Sequence, residues 1–255
     1  MTGLRSVLAA IILCTSTSII AEDFERVLLP ISGGAIPGAY GSLWEIHLVV
    51  RNDNSTPTRV TQHPFGCAIP CPLDLVDPNT SLEMTTYPVL YPHPGSYLWI
   101  TKPGNAHVTF NLRIQDLSRQ ALTWGTEIPV LHDSSAHTGV IELLSVPLDS
   151  RFRQTLRVYD FDDAFGRRVR LRIYPSTSNE AAVDVELKLT TPSGGDFANV
   201  PGYAQVGSFV DAFPQLAALD NVRVELTPID AGLRFWAFVT VTNNETQHVT
   251  TITPQ

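Results

Sequence analysis

The 255-residue chain is 44% hydrophobic and 16% charged. That balance excludes a disordered polymer and leaves enough apolar mass for one large core or two small ones. Its formal charge of −8 excludes a general nucleic-acid or anionic-membrane binder, which needs a basic surface.

In chain order, residues 1–21 read as a secretory signal peptide. Arg5 supplies the positive start, Val7 to Leu13 the apolar stretch, and Ile19-Ile20-Ala21 the cleavage site before Glu22. The apolar stretch is shorter than the roughly 20 residues a membrane span needs, and no second long one follows. The expectation is an exported chain, secreted, periplasmic or at the cell surface, with no transmembrane span once mature. Losing the signal removes Cys14 and leaves Cys67 and Cys71.

Strict alternation then sets in. In "LWEIHLVV" Trp44, Ile46, Leu48 and Val50 share one face, with Glu45 and His47 on the other. Such a pattern marks a strand of an antiparallel sheet packed on one side. "RNDNSTP" follows, an acidic turn holding Asn52, Asp53 and Asn54.

Between Gln62 and Ser96 lie seven of the 19 prolines, with Phe65, Tyr87 and Tyr91 inside the excursion and Tyr97 beside it. Cys67 and Cys71 sit here, and an even pair in an oxidising compartment is a disulfide by default. So small a ring would stabilise the fold by about 2 kcal/mol. His63, Cys67, Cys71 and Asp74 also sketch a soft-ligand metal site, though Pro64, Pro70 and Pro72 restrict how they converge. A redox role is a third reading, without the usual two-residue spacing between the thiols. A stiffened loop with these four aromatics in or beside it is a candidate binding surface. The competing reading is a braced crossover along a sheet edge.

"VTFNLRIQ" alternates again, with Asn111, Arg113 and Gln115 on its polar face. The polar stretch "HDSSAHTG" (132–139) suits a linker. His132 and His137, with Asp133 and Ser134 between them, belong to that stretch and form no nucleophile elbow.

Past the linker, Arg151, Arg153, Arg157, Arg167, Arg168, Arg170 and Arg172 place seven of the 17 basic residues within 22 positions. Arg153 with Arg157, and Arg168 with Arg170 and Arg172, would form an anion-binding stripe for an acidic glycan or phosphate-rich polymer. The competing reading is cross-strand pairing with Asp184 and Glu186 of "VDVELKL". Asp160, Asp162 and Asp163 fill the turn between the arginine strands. Three carboxylates there are candidate calcium ligands, and Asp is also a natural turn former. The one helix candidate, Val210 to Leu219, is interrupted by Pro214. "VRVEL" and "FWAFVTVTNNETQHVTTITP" close the chain with further strands.

The chain repeats its own grammar. "ERVLLP", a link and "SLWEIHLVVRNDNSTPTRV" are echoed by "IELLSVP", a link and "RQTLRVYDFDDAFGRRVRL". The pattern predicts an all-β protein of two tandem antiparallel β-sandwiches, residues 22–133 and 138–255, with one large jelly-roll-like sandwich as the alternative.

The opening "ERVLLPISGGAIPGAYGSLWEIHLVVRN" and the closing "FWAFVTVTNNETQHVTTITPQ" resemble uncharacterised secreted bacterial proteins with immunoglobulin-like β-sandwich domains. The resemblance covers both ends of the mature chain. It implies an immunoglobulin-like extracellular fold and supplies no active site.

Catalytic fingerprints for zinc proteases, phosphate loops and dinucleotide binding are missing from the sequence, and no cofactor motif is present beyond the calcium candidates. Trp44, Trp99, Trp124 and Trp236 could stack sugars, although Trp44 shares its face with core residues. The expectation is a non-enzymatic binding, adhesion or surface-assembly module acting through its loops on an extracellular protein or glycan. The alternative is a carbohydrate-active or other hydrolase on a sandwich scaffold. It would require a concave sheet face with aromatics and two carboxylates.

Overall fold

The structure is a computed structural model describing residues 23–32, 35–61, 74–84, 95–102, 107–119, 124–162, 166–190 and 200–255. The signal segment, Cys67 and Cys71 with His63, Phe65, Tyr87 and Tyr91, and Asp163 lie outside the described residues.

The alternating segments form strands. The first half carries β1 (Phe24–Leu29), β2 (Ile36–Pro37), β3 (Leu43–Asn52), β4 (Thr58–Thr61) and β5 (Asp74–Val76). It continues with β6 (Thr80–Met84), β7 (Ser96–Thr101), β8 (Val108–Asp116), β9 (Thr126–Ile128) and β10 (Leu131–His132). The second half carries β11 (Ile141–Pro147), β12 (Phe152–Asp160), β13 (Arg168–Pro175) and β14 (Val183–Lys188). Then come β15 (Gly202–Gly207), β16 (Asn221–Pro228), β17 (Phe235–Asn243) and β18 (Val249–Ile252). Pro214 acts as expected: a four-residue α1 (Phe209–Ala212) stops and a 3-10 turn over Pro214–Leu216 follows.

All ladders are antiparallel, and the strands make four sheets rather than the two of a single jelly roll. In the first half, β1-β7-β4-β5 form one layer, while β3, β8 and β9 with β6 on the far edge of β3 form the other. In the second half the layers are β11-β16-β13-β14 and β15-β12-β17-β18. These orders are the same once strands are matched in chain order. The first half merely adds β10 on β1, and β2 on β3. The repeated grammar of the sequence is thus a repeated strand order.

Each half closes over its own apolar side chains. Leu48, Val50, Val60, Leu98, Ile100 and Leu112 are buried in the first core. Leu156, Val158, Leu171, Val224, Val239 and Phe209 are buried in the second. Period-2 patterning achieves this, because it places one residue in two on the inner face of every strand.

The second half's β12–β17 pair departs from simple one-sided patterning. Its inner face points Leu156, Val158, Ala237 and Val239 into the second core. Its outer face points Tyr159, Phe161, Trp236 and Phe238 into the core of the first half. A strand buried on both faces reads as a continuous apolar run, which is what "FWAFV" is. The rings stack: Trp236 and Phe238 lie 5.0 Å apart, and Tyr159 lies 6.3 Å from Phe238. Hydrogen bonds fasten the rim of this seam. The Tyr159 hydroxyl donates to the Pro30 carbonyl at 2.5 Å, and the Tyr97 hydroxyl to the Asp160 carbonyl at 2.8 Å. Burial pushes the Tyr159 phenol well above its ordinary range, so it stays a donor. Arg26 also donates to the Phe161 carbonyl.

The stretch 132–139, expected as a plain linker, is pinned at both ends of its short turn. Asp133 lies between Arg26 at 3.5 Å and Arg234 at 3.2 Å. His137 and Phe235 exchange backbone hydrogen bonds of 2.9 Å. The seam requires this, since two halves sharing a core need the chain between them held still.

Candidate functional site

On the outer face of the β3–β8 layer polar side chains gather in a concavity. Register does the gathering. His47 on β3 is opposite Arg113 on β8, Glu45 opposite Gln115, and Val49 opposite Asn111. On the other edge of β3, Val49 is opposite Glu83 of β6. Beyond β8, Arg113 faces Glu127 of β9. Side chains two apart share a sheet face, so odd-numbered residues from four strands form one polar surface.

That surface floors a trough of about 490 Å³ lined by His47, Glu83, Asn111, Arg113, Gln115 and Trp124. The volume falls within the roughly 300–1,000 Å³ of small-molecule sites. Trp124, on the segment leading into β9, is 81% exposed. Gly125 follows it at φ +84°, where a Cβ would meet the Ile114 carbonyl at 2.6 Å. Glycine is therefore what lets the segment turn close to β8 and present the indole.

The polar groups are ordered by one another. His47 Nε2 lies 2.9 Å from Glu45, and Nδ1 lies 3.2 Å from Glu83. Gln115 meets the same imidazole. Arg113 donates to Asn111 at 3.2 Å and pairs with Glu127 at 3.8 Å. This alternation of donors and acceptors under an exposed ring suits a polyhydroxylated ligand.

The sequence-predicted candidates fall elsewhere. Tyr97, expected on a binding loop, is buried in the seam, since its ring packs against Phe161 and under Arg26. The arginine stripe is divided. Arg168, Arg170 and Arg172 lie on β13 and pair with Asp230, Glu186, Asp184 and Glu225, the Arg170–Asp184 pair at 2.6 Å. Cross-strand pairing therefore occupies this half of the stripe. Arg153 and Arg157 lie on the outer face of β12, in another sheet, with Asn244, Gln247 and Thr240 as partners.

Of the calcium candidates, Asp160 and Asp162 are engaged with guanidinium groups. Arg167 grips both Asp160 oxygens at 2.9 and 2.7 Å and reaches Asp162 at 2.6 Å. Arg234 bonds Asp162 at 2.7 Å. Burial holds Asp160 above the ordinary carboxylate range despite this grip. Burial also opposes ionisation of Asp162, but Arg167 and Arg234 win and hold it below that range. Among the described residues no group of three or more His, Cys, Asp or Glu side chains gathers to hold a metal ion.

The tryptophans do not form one platform. Trp236 is in the seam, Trp44 lines a cleft between the halves, and Trp124 stands alone in the open. Period-2 reading did place Asn111, Arg113 and Gln115 on one face and Glu45 and His47 on another. What joins them is strand register, which alternation does not specify. No protein-family model matches the chain, and no curated protein or solved structure is significantly similar to it.

Proposed function

We propose that this chain is an exported, non-enzymatic binding module that holds a glycan in the trough on the outer face of β3 and β8. One observation carries the reading: Trp124, 81% exposed, stands over a floor of His47, Glu83, Asn111, Arg113 and Gln115. An exposed indole gains free energy when a flat apolar face covers it. A sugar ring offers that face, while its hydroxyls match the donors and acceptors beneath.

The Pro-rich excursion from Gln62 to Ser96 is not a single loop, since β5 and β6 fall within it; it is retained in this reading as the part of the chain that meets a protein partner. A second reading, hydrolysis, draws on Glu45 and Glu83 standing on either side of His47. Two carboxylates near a sugar site are the minimum that glycoside cleavage needs.

The test is binding of the purified chain to arrayed glycans and cell-envelope fractions, with W124A alongside. Retained glycan that is released by W124A, with no turnover, supports the reading. Binding unaffected by W124A would overturn it, and sugar release abolished by E83Q would move the assignment to the hydrolase.

A further inference from the structure

The outer face of β12 and β17 changes character along its length. At one end Tyr159, Phe161, Trp236 and Phe238 form the seam. Towards the other end the same face carries Arg153, Thr155 and Arg157 beside Thr242 and Thr240. Here the halves part. These five residues floor a cleft of about 240 Å³, whose wall includes Ile31, Ile36, Trp44 and Val249.

Charge sets this cleft apart. The chain has 25 acidic residues against 17 basic ones, and the arginines of β13 all have carboxylate partners. Among the described residues neither Arg153 nor Arg157 pairs with a carboxylate. Arg153 donates to Asn244 at 2.8 Å and Gln247 at 2.9 Å, and Arg157 to Thr240 at 3.1 Å. Neutral acceptors orient a guanidinium without cancelling its charge. Aromatic faces hold the two groups as well: Arg157 lies 5.8 Å from the Phe238 ring and Arg153 5.1 Å from the Tyr40 ring. Tyr40 is 65% exposed and sits at φ +56°, a conformation disfavoured for a bulky residue. Its phenol therefore stands over Arg153 at a local conformational cost.

We infer that this cleft between the halves binds a compact, ring-bearing organic anion, with Arg153 and Arg157 receiving the oxyanion. Guanidinium forks match carboxylate, sulfate and phosphate oxygens. Thr155, Thr240 and Thr242 supply hydroxyls for a ligand's own hydroxyls. The apolar wall of Ile31, Ile36 and Trp44 accepts the ring body. The volume is below the roughly 300 Å³ where drug-sized sites begin, so the ligand is about one ring in size. An acidic sugar residue has this chemistry, its charge supplied by a uronate carboxylate, a sulfate ester or a phosphate ester. The site is separate from the trough beside Trp124 and does not depend on that reading.

The experiment is isothermal calorimetry on the full chain with glucuronate, glucose 6-sulfate, glucose 6-phosphate, glucose and inorganic sulfate. Binding of at least one acidic sugar is expected, weakened by salt and reduced about tenfold or more in R157Q and in R153Q, with R170Q unchanged. The three acids separate carboxylate from ester recognition. Glucose binding that matches the acids and is equally lost in R157Q, inorganic sulfate matching them, or R157Q binding the acids like wild type would overturn the inference. Methyl NMR of the unaltered chain guards against misfolded variants. Acidic sugar should shift Ile31, Ile36 and Val249, and shifts confined to other sites would equally overturn it.

Discussion

Asn52 and Asp160 occupy the same place in the two halves. Each is the last residue of the matched strand, β3 or β12, and each is buried. Each accepts the backbone N–H of the residue two ahead: Asn54 at 3.0 Å and Asp162 at 2.8 Å. The turn is the same and its electrostatics are opposite. Asn52 is neutral and uses its amide to donate to the Thr56 and Val76 carbonyls. Asp160 is an acid answered by Arg167.

Exchanging the two chemistries should therefore have unequal effects. D160N keeps the turn acceptor and loses part of the Arg167 grip, and should cost about 1–3 kcal/mol in urea unfolding. N52D places an acid that, among the described residues, no arginine answers, and deletes the bonds the amide donates; it should cost about 3–5 kcal/mol at neutral pH. Equal losses would show that Arg167 is not what makes the acid tolerable.

The acids of the fold predict its pH dependence. Burial opposes ionisation of Asp116, but bonds from Ser118, Leu43 and Arg119 hold it below its ordinary value; Asp162 is held down likewise. A depressed acid contributes stability that is present above its unfolded value, near 3.8, and is lost as pH falls through the folded value. Asp160 has the reverse sign. Its raised value makes its contribution most favourable at low pH and less so as pH rises through the folded value. Urea midpoints should accordingly fall below about pH 4, with a shallower fall in D162N. A D162N curve parallel to wild type would count against this origin.

The seam predicts that the halves unfold together. Phe238→Ala should cost about 3–5 kcal/mol, and Tyr159→Phe, which loses only the bond to Pro30, about 1 kcal/mol. Calorimetry should show one transition for the wild type and two for F238A, because the shared aromatic layer couples the cores. A wild-type thermogram already resolved into two peaks would disprove the coupling.

Trp124 offers the cleanest separation of binding from folding. Its side chain is mostly in water, so W124A should change stability by no more than about 0.5 kcal/mol. Glycan affinity should still fall about tenfold, equivalent to about 1.4 kcal/mol. A matching loss of stability would mean that the indole packs rather than binds.

Much of the architecture was legible beforehand. The alternation in "LWEIHLVV" and "VTFNLRIQ" located β3 and β8 and their inner residues. The pairing of Arg168–Arg172 with Asp184 and Glu186 followed from matching polar faces. Tyr97 was misplaced because an aromatic beside a Pro-rich excursion looks the same whether it meets solvent or another half of the chain. The double burial of β17 was written in "FWAFV", but the identity of its second partner was not.

The sequence by itself determined the all-β class and the face most strand residues take, because side-chain direction alternates with position until a bulge interrupts it, as between Leu143 and Val146 of β11. It also determined the repeated strand grammar, now visible as one order used twice. Tertiary structure alone decided which polar faces adjoin, which arginines find acids, and how the outer face of β12 and β17 divides into seam and cleft. Register and the docking of one half on the other are set by contacts between segments far apart in the chain, and no local pattern contains them.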